Sequence, residues 1–148
     1  HLAEHAMALL QGLTRGLHTA LRTPTWGLRF PIRAVQWELI DRTMGIVALG
    51  GTGCDLAQRA AAFGMRIVAV DPEAVEVCWG LERYGDLLAQ SDVVAVCAPL
   101  MPETEGLFDT AAFARMQNHA LLINVTRGWT WCRRSPCSKT TRYGRWTM

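Results

Sequence analysis

A glycine-rich turn followed at a fixed distance by an aspartate is the feature that most constrains this chain. The turn reads Ala48-Leu49-Gly50-Gly51-Thr52-Gly53, and Asp71 stands eighteen residues after its last glycine, at the end of the run 66–70. This spacing predicts a strand, a loop, a helix, a second strand and then an acid placed for a ribose. Because the free N–H groups and positive dipole end of a helix N-terminus attract a pyrophosphate, we expect the chain to hold a dinucleotide.

Length and composition indicate one domain with a sizeable core, since the chain has 148 residues and is 50% hydrophobic. No uncharged apolar run approaches the roughly 18 residues that a membrane span requires, and no basic-then-apolar signal segment opens the sequence. A soluble protein without a membrane partner is therefore expected. The sequence starts at His1 with a helical pattern already under way, so we expect its natural beginning to be missing.

Charge and cysteine usage narrow the classes of partner. Residues 129–148 carry five basic residues and no acid, which leaves residues 1–128 with a net charge of −3. A nucleic-acid partner would depend wholly on that tail and is not expected. The five cysteines are odd in number and lack the paired spacings of a zinc site, so no metal is expected. Scattered thiols favour a reducing compartment, and hence the cytoplasm.

The first part of the chain has a helical pattern. Leu2, Ala6, Leu9 and Leu13 recur at helical spacing and predict one amphipathic helix over residues 2–21. Breaks are predicted at residues 23–27 and at Phe30-Pro31.

Strand-like runs alternate with helix signals over the rest of the chain. Strands are predicted at 44–49, 66–70, 93–97 and 120–124, and a helix at 108–116. The helix after the glycine turn is predicted to bury Leu56, Ala60 and Phe63 and to end at Gly64. Continuous apolar strands separated by helices predict a parallel sheet that is covered on both faces.

Seven short blocks along the chain carry a family resemblance. They are Glu4-His5-Ala6, Gly45-Ile46-Val47, Ala62-Phe63-Gly64-Met65-Arg66, Asp71-Pro72, Ser91-Asp92-Val93-Val94, Pro99-Leu100-Met101-Pro102-Glu103-Thr104 and Asn124-Val125-Thr126-Arg127-Gly128. In this order they resemble the nucleotide-binding domain of the D-isomer-specific 2-hydroxyacid dehydrogenases. The resemblance covers about residues 2–128 and implies an α/β, Rossmann-like, doubly wound parallel sheet, here incomplete, preceded by an amphipathic helix. It also implies NAD as the cofactor.

The resemblance assigns the glycine turn and the aspartate to the cofactor. Backbone N–H groups of Gly50, Gly51, Thr52 and Gly53 would bind the pyrophosphate, with Gly53 allowing close contact between helix and strand. Asp71 would accept hydrogen bonds from the adenosine ribose and repel a 2′-phosphate, which favours NAD over NADP.

Plainer interpretations of the same residues stay open. Thr52 with Asp55 fits a capping box, which would make the segment an ordinary helix start. An aspartate before Pro72 can simply end a strand in a turn.

Two residues depart from the family pattern. Ala48 replaces the usual glycine, and its methyl group would crowd a tight turn. Gly51 stands where the family commonly has an arginine, so one cation near the pyrophosphate is lost. Both departures are expected to lower the affinity for NAD.

Four further residues and one arginine complete the implied site. Ala98, Thr104, Val125 and Thr126 would line the nicotinamide side, although Ala98 and Val125 could equally be packing at strand ends. Arg127, the candidate catalytic residue, would lie beside the cofactor. It would make a paired contact with the carboxylate and reacting carbonyl of a substrate, unless it is a solvated loop charge.

Two catalytic groups of the family have no counterpart in this sequence. The family uses a histidine and a glutamate that raises the histidine's pKa, in motifs further along the chain. Neither motif is present. The four histidines, which are His1, His5, His18 and His119, are expected to be structural or exposed.

The last twenty residues form a separate, irregular basic segment. Residues 129–148 contain three tryptophans but no alanine, valine, isoleucine or leucine. Read one base earlier, Trp129-Thr130-Trp131-Cys132 would encode apolar residues and an aspartate, which suggests a frame-shifted end. A genuine but disordered tail is the alternative.

Three functions remain open at this point. The first is a fragment of an NAD-dependent oxidoreductase, inactive alone, from a parent enzyme acting on 2-hydroxy or 2-oxo acids. The second is an NAD(H)-sensing or corepressor-like module that forms a homodimer through its first helix. Its pairing surface would be an exposed apolar stripe of Leu2, Ala6, Leu9 and Leu13. The third is an inert truncated product.

Overall fold

The computed structural model describes residues 1–22, 25–73, 78–102 and 104–126. The helices are α1 Leu2–Thr14, α2 Leu17–Arg22, α3 Arg29–Val35, α4 Gly51–Ala62, α5 Tyr84–Gln90 and α6 Thr110–Arg115, with short 3-10 turns at Trp26–Leu28 and Leu81–Arg83. The strands are β1 Thr43–Val47, β2 Arg66–Val70, β3 Val93–Val96 and β4 Leu121–Asn124. Among the helices of these ranges, none combines the length and the hydrophobicity of a membrane span.

The four strands form one parallel sheet in the order β2-β1-β3-β4. All residues of β1 and β3 are buried, as expected for central strands covered on both faces. The predicted parallel sheet is therefore confirmed. In the sheet, β2 lies on one side of β1 and β3 on the other, so the strand order reverses at β1. Open α/β sheets commonly bind ligands at such a reversal.

A separate apolar core covers each face of the sheet. Helices α1 and α4 pack on one face through residues such as Leu10 and Leu56. Helices α5 and α6 cover the other through Leu87 and Ala112, together with Phe108, which lies just before α6 and is almost fully buried. A Cβ atom at Gly45 would collide with the side chains of Ser91 and Leu87, so the glycine in β1 lets α5 lie close to the sheet.

The single helix predicted over residues 2–21 is wrong. The Thr14 hydroxyl donates to the Leu10 carbonyl oxygen at 3.0 Å, and the chain then turns at Gly16, whose φ is 69°. The glycine adopts the left-handed conformation that ends a helix at little cost, and α2 begins at the next residue.

The predicted apolar stripe on α1 also needs correction. Ala6 is 1% exposed and packs in the core beneath α4, whereas Leu2 is 50% exposed. The buried face of α1 consists of Ala3, Ala6, Met7, Leu10 and Thr14, so it shares only Ala6 with the predicted stripe. The side chains of Leu9 and Leu13 pack at the margin of that core.

Two further local predictions are overturned and one is confirmed. Phe30 and Pro31 do not interrupt helical structure but lie inside α3. Proline fits the first turn of a helix, where its missing N–H is not needed. Phe63 follows the last residue of α4 and is 46% exposed rather than buried. Gly64 does end α4, with a φ of 76°.

Candidate functional site

The turn between β1 and α4 ends at a helix start without a side-chain cap. Gly50 is the N-cap residue, and no side chain caps the helix. Thr52 is the second residue of α4, so the predicted capping box with Asp55 does not form. The N–H groups of Gly51, Thr52 and Gly53 have no intrahelical partner, and none to any other described residue. They are available to an anion at this end of the helix.

The glycines leave room where a diphosphate would approach. A Cβ atom at Gly50 or Gly51 would meet no heavy atom within 4 Å, so the helix start is open to solvent. Gly53 is different, since a Cβ there would collide with the carbonyl oxygen of Ala48. The close contact between strand and helix expected at Gly53 is thus present.

Ala48 bends the chain out of β1 in a conformation that suits glycine. Its φ is 74°, in the left-handed region where a Cβ atom crowds the backbone. Its N–H still donates to the Val70 carbonyl oxygen at 2.9 Å, so the β1 to β2 ladder runs up to the turn. The crowding expected from this departure is therefore real.

Asp71 lies directly after β2 and reaches the same turn. One carboxylate oxygen, Oδ2, accepts the Leu49 N–H at 2.7 Å, and Oδ1 accepts the Glu73 N–H at 2.9 Å. The second contact is the turn-forming role left open for an aspartate before Pro72. A carboxylate has about four acceptor positions, so two remain for hydroxyl groups of a ligand.

The residues expected on the nicotinamide side follow β3 and β4 at the same edge of the sheet. Ala98 and Val125 are buried, at 3% and 9% exposed, and belong to the two cores. The Thr104 hydroxyl accepts the Met101 N–H at 2.8 Å and donates to the Pro99 carbonyl oxygen at 2.6 Å. Thr104 thus fixes the loop after β3.

One contact in this region was not anticipated. Asn124 Oδ1 accepts both the N–H of Thr126, at 2.9 Å, and its hydroxyl, at 2.7 Å. An asparagine at a strand end with a threonine two positions later is the sequence signal for such a turn. Arg127, the candidate catalytic residue, lies outside the described residues, as does the tail 129–148.

A histidine and a carboxylate do pair in this chain, but at the opposite end of the sheet. His119 Nε2 lies 2.7 Å from Asp92 Oδ1, while Arg42 and the Thr43 N–H also donate to this carboxylate, at 3.2 and 2.8 Å. Burial raises the pKa of Asp92, but the bonds from Thr43, His119 and Arg42 outweigh it and lower the pKa below its usual value. Asp92 precedes β3, so this pair is structural and lies away from the glycine turn.

Two cysteines lie near the cofactor edge. Cys54 is exposed in the first turn of α4, and its Sγ donates to the Leu49 carbonyl oxygen at 3.2 Å. Cys97 follows β3, and burial raises its pKa to about 11. Of these two thiols, the exposed Cys54 is the one placed to react readily with thiol reagents.

A cavity of about 330 Å³ lies elsewhere, between α5 and α6. Its lining includes Tyr84, Asp109 and Arg115 but none of the predicted site residues. Burial and then the negative charge of Asp109 raise the pKa of Tyr84, which leaves the phenol protonated as it donates to the Leu107 carbonyl oxygen at 3.2 Å.

Known proteins resemble this chain over most of its length. D-3-phosphoglycerate dehydrogenase of Mycobacterium tuberculosis is 39% identical over 134 residues, which are 85% of this chain and 25% of that protein. D-lactate dehydrogenase of Escherichia coli is 32% identical over 133 residues, or 86% of this chain and 40% of that protein. The chain therefore spans about a quarter to two fifths of these relatives.

Solved structures agree. NAD-dependent formate dehydrogenase from Staphylococcus aureus, in complex with NAD, superposes with a TM-score of 0.78 at 31% identity, covering 89% of this chain and 41% of that one. Phosphoglycerate dehydrogenase from Lactobacillus plantarum gives a TM-score of 0.80 at 24% identity, over 89% of this chain and 44% of that one, and supports the fold.

The family model described as the D-isomer specific 2-hydroxyacid dehydrogenase, NAD binding domain, matches residues 4–134. This span includes the glycine turn, Asp71 and all four strands. The chain belongs to the D-isomer-specific 2-hydroxyacid dehydrogenases, a family of oxidoreductases, and carries their Rossmann-like NAD-binding domain.

Proposed function

We propose that the start of α4 binds the pyrophosphate of NAD(H) and that Asp71 binds the adenosine ribose. The observation that carries this assignment is the 2.7 Å hydrogen bond between the Leu49 N–H and Asp71 Oδ2. It joins the acid to the turn, so that uncapped N–H groups and a carboxylate with spare acceptor positions lie side by side. Charge repulsion between Asp71 and a 2′-phosphate then favours NAD over NADP.

The parent enzyme would transfer a hydride between NAD(H) and the C2 carbon of a 2-hydroxy or 2-oxo acid. Bound nicotinamide supplies the hydride chemistry. Ala98, Thr104, Val125 and Thr126 would bound the nicotinamide side, and Arg127 would orient the substrate carboxylate through a planar, paired contact.

We expect the chain alone to bind the cofactor without turnover. The family's histidine and glutamate motifs are absent from this sequence, and His119 is engaged with Asp92 at the far end of the sheet. The proposal includes a cytoplasmic location, which the exposed thiol of Cys54 supports.

Titration with NADH and NADPH, followed by cofactor fluorescence, tests the proposal. NADH should bind at least about tenfold more tightly than NADPH, because each 1.4 kcal/mol of charge repulsion corresponds to a factor of ten. The preference should shrink in Asp71→Ala and persist in the matched control Asp55→Ala, since the Asp55 carboxylate is exposed in α4 and pairs with Arg59. Equal affinity for the two cofactors, or no binding to folded protein, would contradict the proposal. Oxidation of NADH on adding 2-oxo acids would show that the chain is active alone.

A second candidate function is an NAD(H)-sensing module that forms a homodimer, and the segment after α1 favours it. We call residues 15–22 and 25–37 the arm. Its base is closed by a bond from Gln36 Nε2 to the Arg15 carbonyl oxygen at 2.6 Å, and by the Trp37 N–H to the Thr14 carbonyl oxygen at 3.2 Å. No residue of α2 or α3 is buried. The arm exposes Leu17, Leu21, Trp26, Phe30 and Val35.

Charge indicates a second copy of the chain as the partner of the arm. Residues 5–37 contain four arginines and no acid, whereas residues 38–126 contain twelve acids and five arginines. A basic, apolar arm is thus complementary to the acidic remainder of another copy. The surface for pairing is this arm rather than the α1 stripe, since Ala6 is buried.

Sedimentation of the variant Leu21→Ser/Trp26→Ser tests the dimer. Leu81→Ser is the control, because Leu81 is 50% exposed outside the arm. The parent and the control should be dimers and the arm variant a monomer. A parent chain that is monomeric at every concentration would contradict this candidate.

A third candidate is an inert product, which would show a molten spectrum and no cofactor response. Our hypothesis of a frame-shifted tail is a separate matter, tested by sequencing the gene across codon 128. An unbroken frame in independent clones would remove it.

A further inference from the structure

The turn after β1 contains a residue whose backbone conformation is unfavourable. Ala48 has a φ of 74°, and an L-residue with a Cβ atom rarely adopts this region without support from its surroundings. Its carbonyl oxygen points at Gly53, close enough that no Cβ fits there. The turn therefore holds strand and helix together through a strained residue.

The support comes from the next residue and from Asp71. The Leu49 N–H donates to Asp71 Oδ2 at 2.7 Å, and hydrogen bonds to a charged acceptor are among the stronger ones in proteins. Asp71 is itself held in place, because its own N–H donates to the Trp79 carbonyl oxygen at 3.0 Å and its Oδ1 accepts the Glu73 N–H. Asp71 is thus a fixed point against which the turn is tied.

We infer that Asp71 is a positioning residue for the phosphate-binding turn, and that Ala48 makes the turn of this chain depend on it. With glycine at position 48 the left-handed conformation would need little support. With alanine, loss of the Leu49 to Asp71 bond should let the turn relax. The link to the cofactor rests on the proposed function, but the dependence itself is a property of the cofactor-free chain.

The inference has a consequence for cofactor choice. Replacing Asp71 to admit a 2′-phosphate would remove a ribose ligand and the support of the turn together. Such a change should succeed only when Ala48 is replaced by glycine at the same time.

A double-mutant cycle of Asp71→Ala and Ala48→Gly, measured by denaturant unfolding without cofactor, tests the inference. Asp71→Ala should lower the folding equilibrium constant about tenfold in the parent chain. The same change in the Ala48→Gly chain should cost at least about threefold more, because glycine keeps the turn and no strain is released to offset the lost bond. Asp71→Asn keeps one acceptor oxygen, so its folding equilibrium constant should lie between those of the parent chain and of Asp71→Ala. Equal losses in both backgrounds would overturn the inference.

Asp41→Gly is the matched control. Asp41 also has a positive φ, of 60°, but it precedes β1 and so lies at the other end of the sheet from Asp71. Removing this strain should leave the Asp71→Ala loss unchanged. If Asp41→Gly changed that loss as much as Ala48→Gly does, the dependence would not be local and the inference would be wrong.

Amide hydrogen exchange provides a measurement on the parent chain, should Asp71→Ala fail to fold. The Leu49 amide should exchange at least about tenfold more slowly than the amides of Gly51 and Thr52, which have no partner. Equally fast exchange at Leu49 would overturn the inference.

An NADH titration of the parent separates the two proposals. Coupling in the cycle without NADH binding would support the positioning role and contradict the proposed function. NADH binding together with an additive cycle would support the proposed function and overturn the positioning role.

Discussion

Two aspartates at opposite ends of the sheet show how position decides the use of the same side chain. Asp71 follows β2, and its carboxylate accepts two backbone N–H groups, from Leu49 and Glu73. Asp92 precedes β3, and its carboxylate is surrounded by three donors, from Thr43, Arg42 and His119. Asp71 keeps acceptor positions for a ligand, whereas Asp92 joins the start of β1 to the turn before β4.

The difference follows from the geometry of a parallel sheet. Crevices form at the carboxyl ends of strands where the strand order reverses, so polar groups left there can bind a ligand. At the amino ends, a buried carboxylate has no such use and must be satisfied within the protein. A histidine paired with an aspartate is therefore no sign of catalysis when it lies at the amino ends.

The largest effect is expected from Gly53→Ala, which tests whether the turn at the carboxyl ends of the strands depends on close packing. The new methyl group would collide with the Ala48 carbonyl oxygen, so the turn must move. We expect a loss of about 3 kcal/mol in the free energy of unfolding, and loss of NADH binding. Denaturant unfolding and fluorescence titration measure the two.

Gly12→Ala serves as its control, because a Cβ at this helical position meets nothing within 4 Å. It should stabilise the chain by about 0.5 to 1 kcal/mol. Normal stability and NADH affinity in Gly53→Ala would show that strand and helix are not closely packed at this turn.

Asp92→Asn should affect the fold and leave the cofactor end intact. We expect about 2 kcal/mol less stability at neutral pH, because three donors lose a charged acceptor. Since the pKa of Asp92 is lowered in the folded chain, its contribution is present above the unfolded value of about 3.9 and is lost as the pH falls through the folded pKa.

The stability difference between parent and Asp92→Asn should accordingly shrink at acid pH, as measured by unfolding at pH 7 and pH 3. Asp86→Asn is the control, because its ion pair with Arg83 is exposed and should contribute little. A difference that is the same at both pH values would show that the charge of Asp92 is not what stabilises this end.

Gly51→Arg should strengthen cofactor binding at the carboxyl end. The site has space for a side chain, and a cation there would lie beside the predicted pyrophosphate. We expect NADH affinity to rise about threefold at low salt, and the gain to fade at high salt. Gly51→Gln, which has no charge, should show no such gain. An equal gain in both variants would mean that the effect is not electrostatic.

The smallest effect concerns thiol reactivity at the same end. Cys54 is exposed, whereas burial raises the pKa of Cys97 to about 11, so a thiol reagent at pH 8 should label Cys54 first. Saturating NADH should slow Cys54 labelling a few-fold. Peptide mapping in a Cys132→Ser/Cys137→Ser background measures the labelling rates of Cys54 and Cys97. If NADH left the Cys54 rate unchanged, this would argue against a cofactor next to α4.

The sequence predicted the sheet and the glycine turn because both are encoded locally. Runs such as 93–97 are long and apolar, and the distance from Gly53 to Asp71 equals one helix and one strand. Gly64 likewise correctly predicted the end of α4. The four strands differ from the predicted runs by only one or two residues at their ends.

The remaining features depend on contacts that sequence spacing does not contain. Ala6 is buried in the core that α1 shares with α4, and His119 meets Asp92 across 27 residues of chain. The N-cap of α4 is Gly50 rather than Thr52, and it follows closely on the backbone turn at Ala48. Arg127 lies outside the described residues, so its substrate role stays a prediction.

Isothermal titration calorimetry of the folded chain with NADH tests the central claim most directly. We predict saturable heat with a stoichiometry of about one per chain, weaker heat with NADPH, and none with NADH for Gly53→Ala. A chain that is folded by circular dichroism yet gives no heat with either NADH or NAD⁺ would contradict the account.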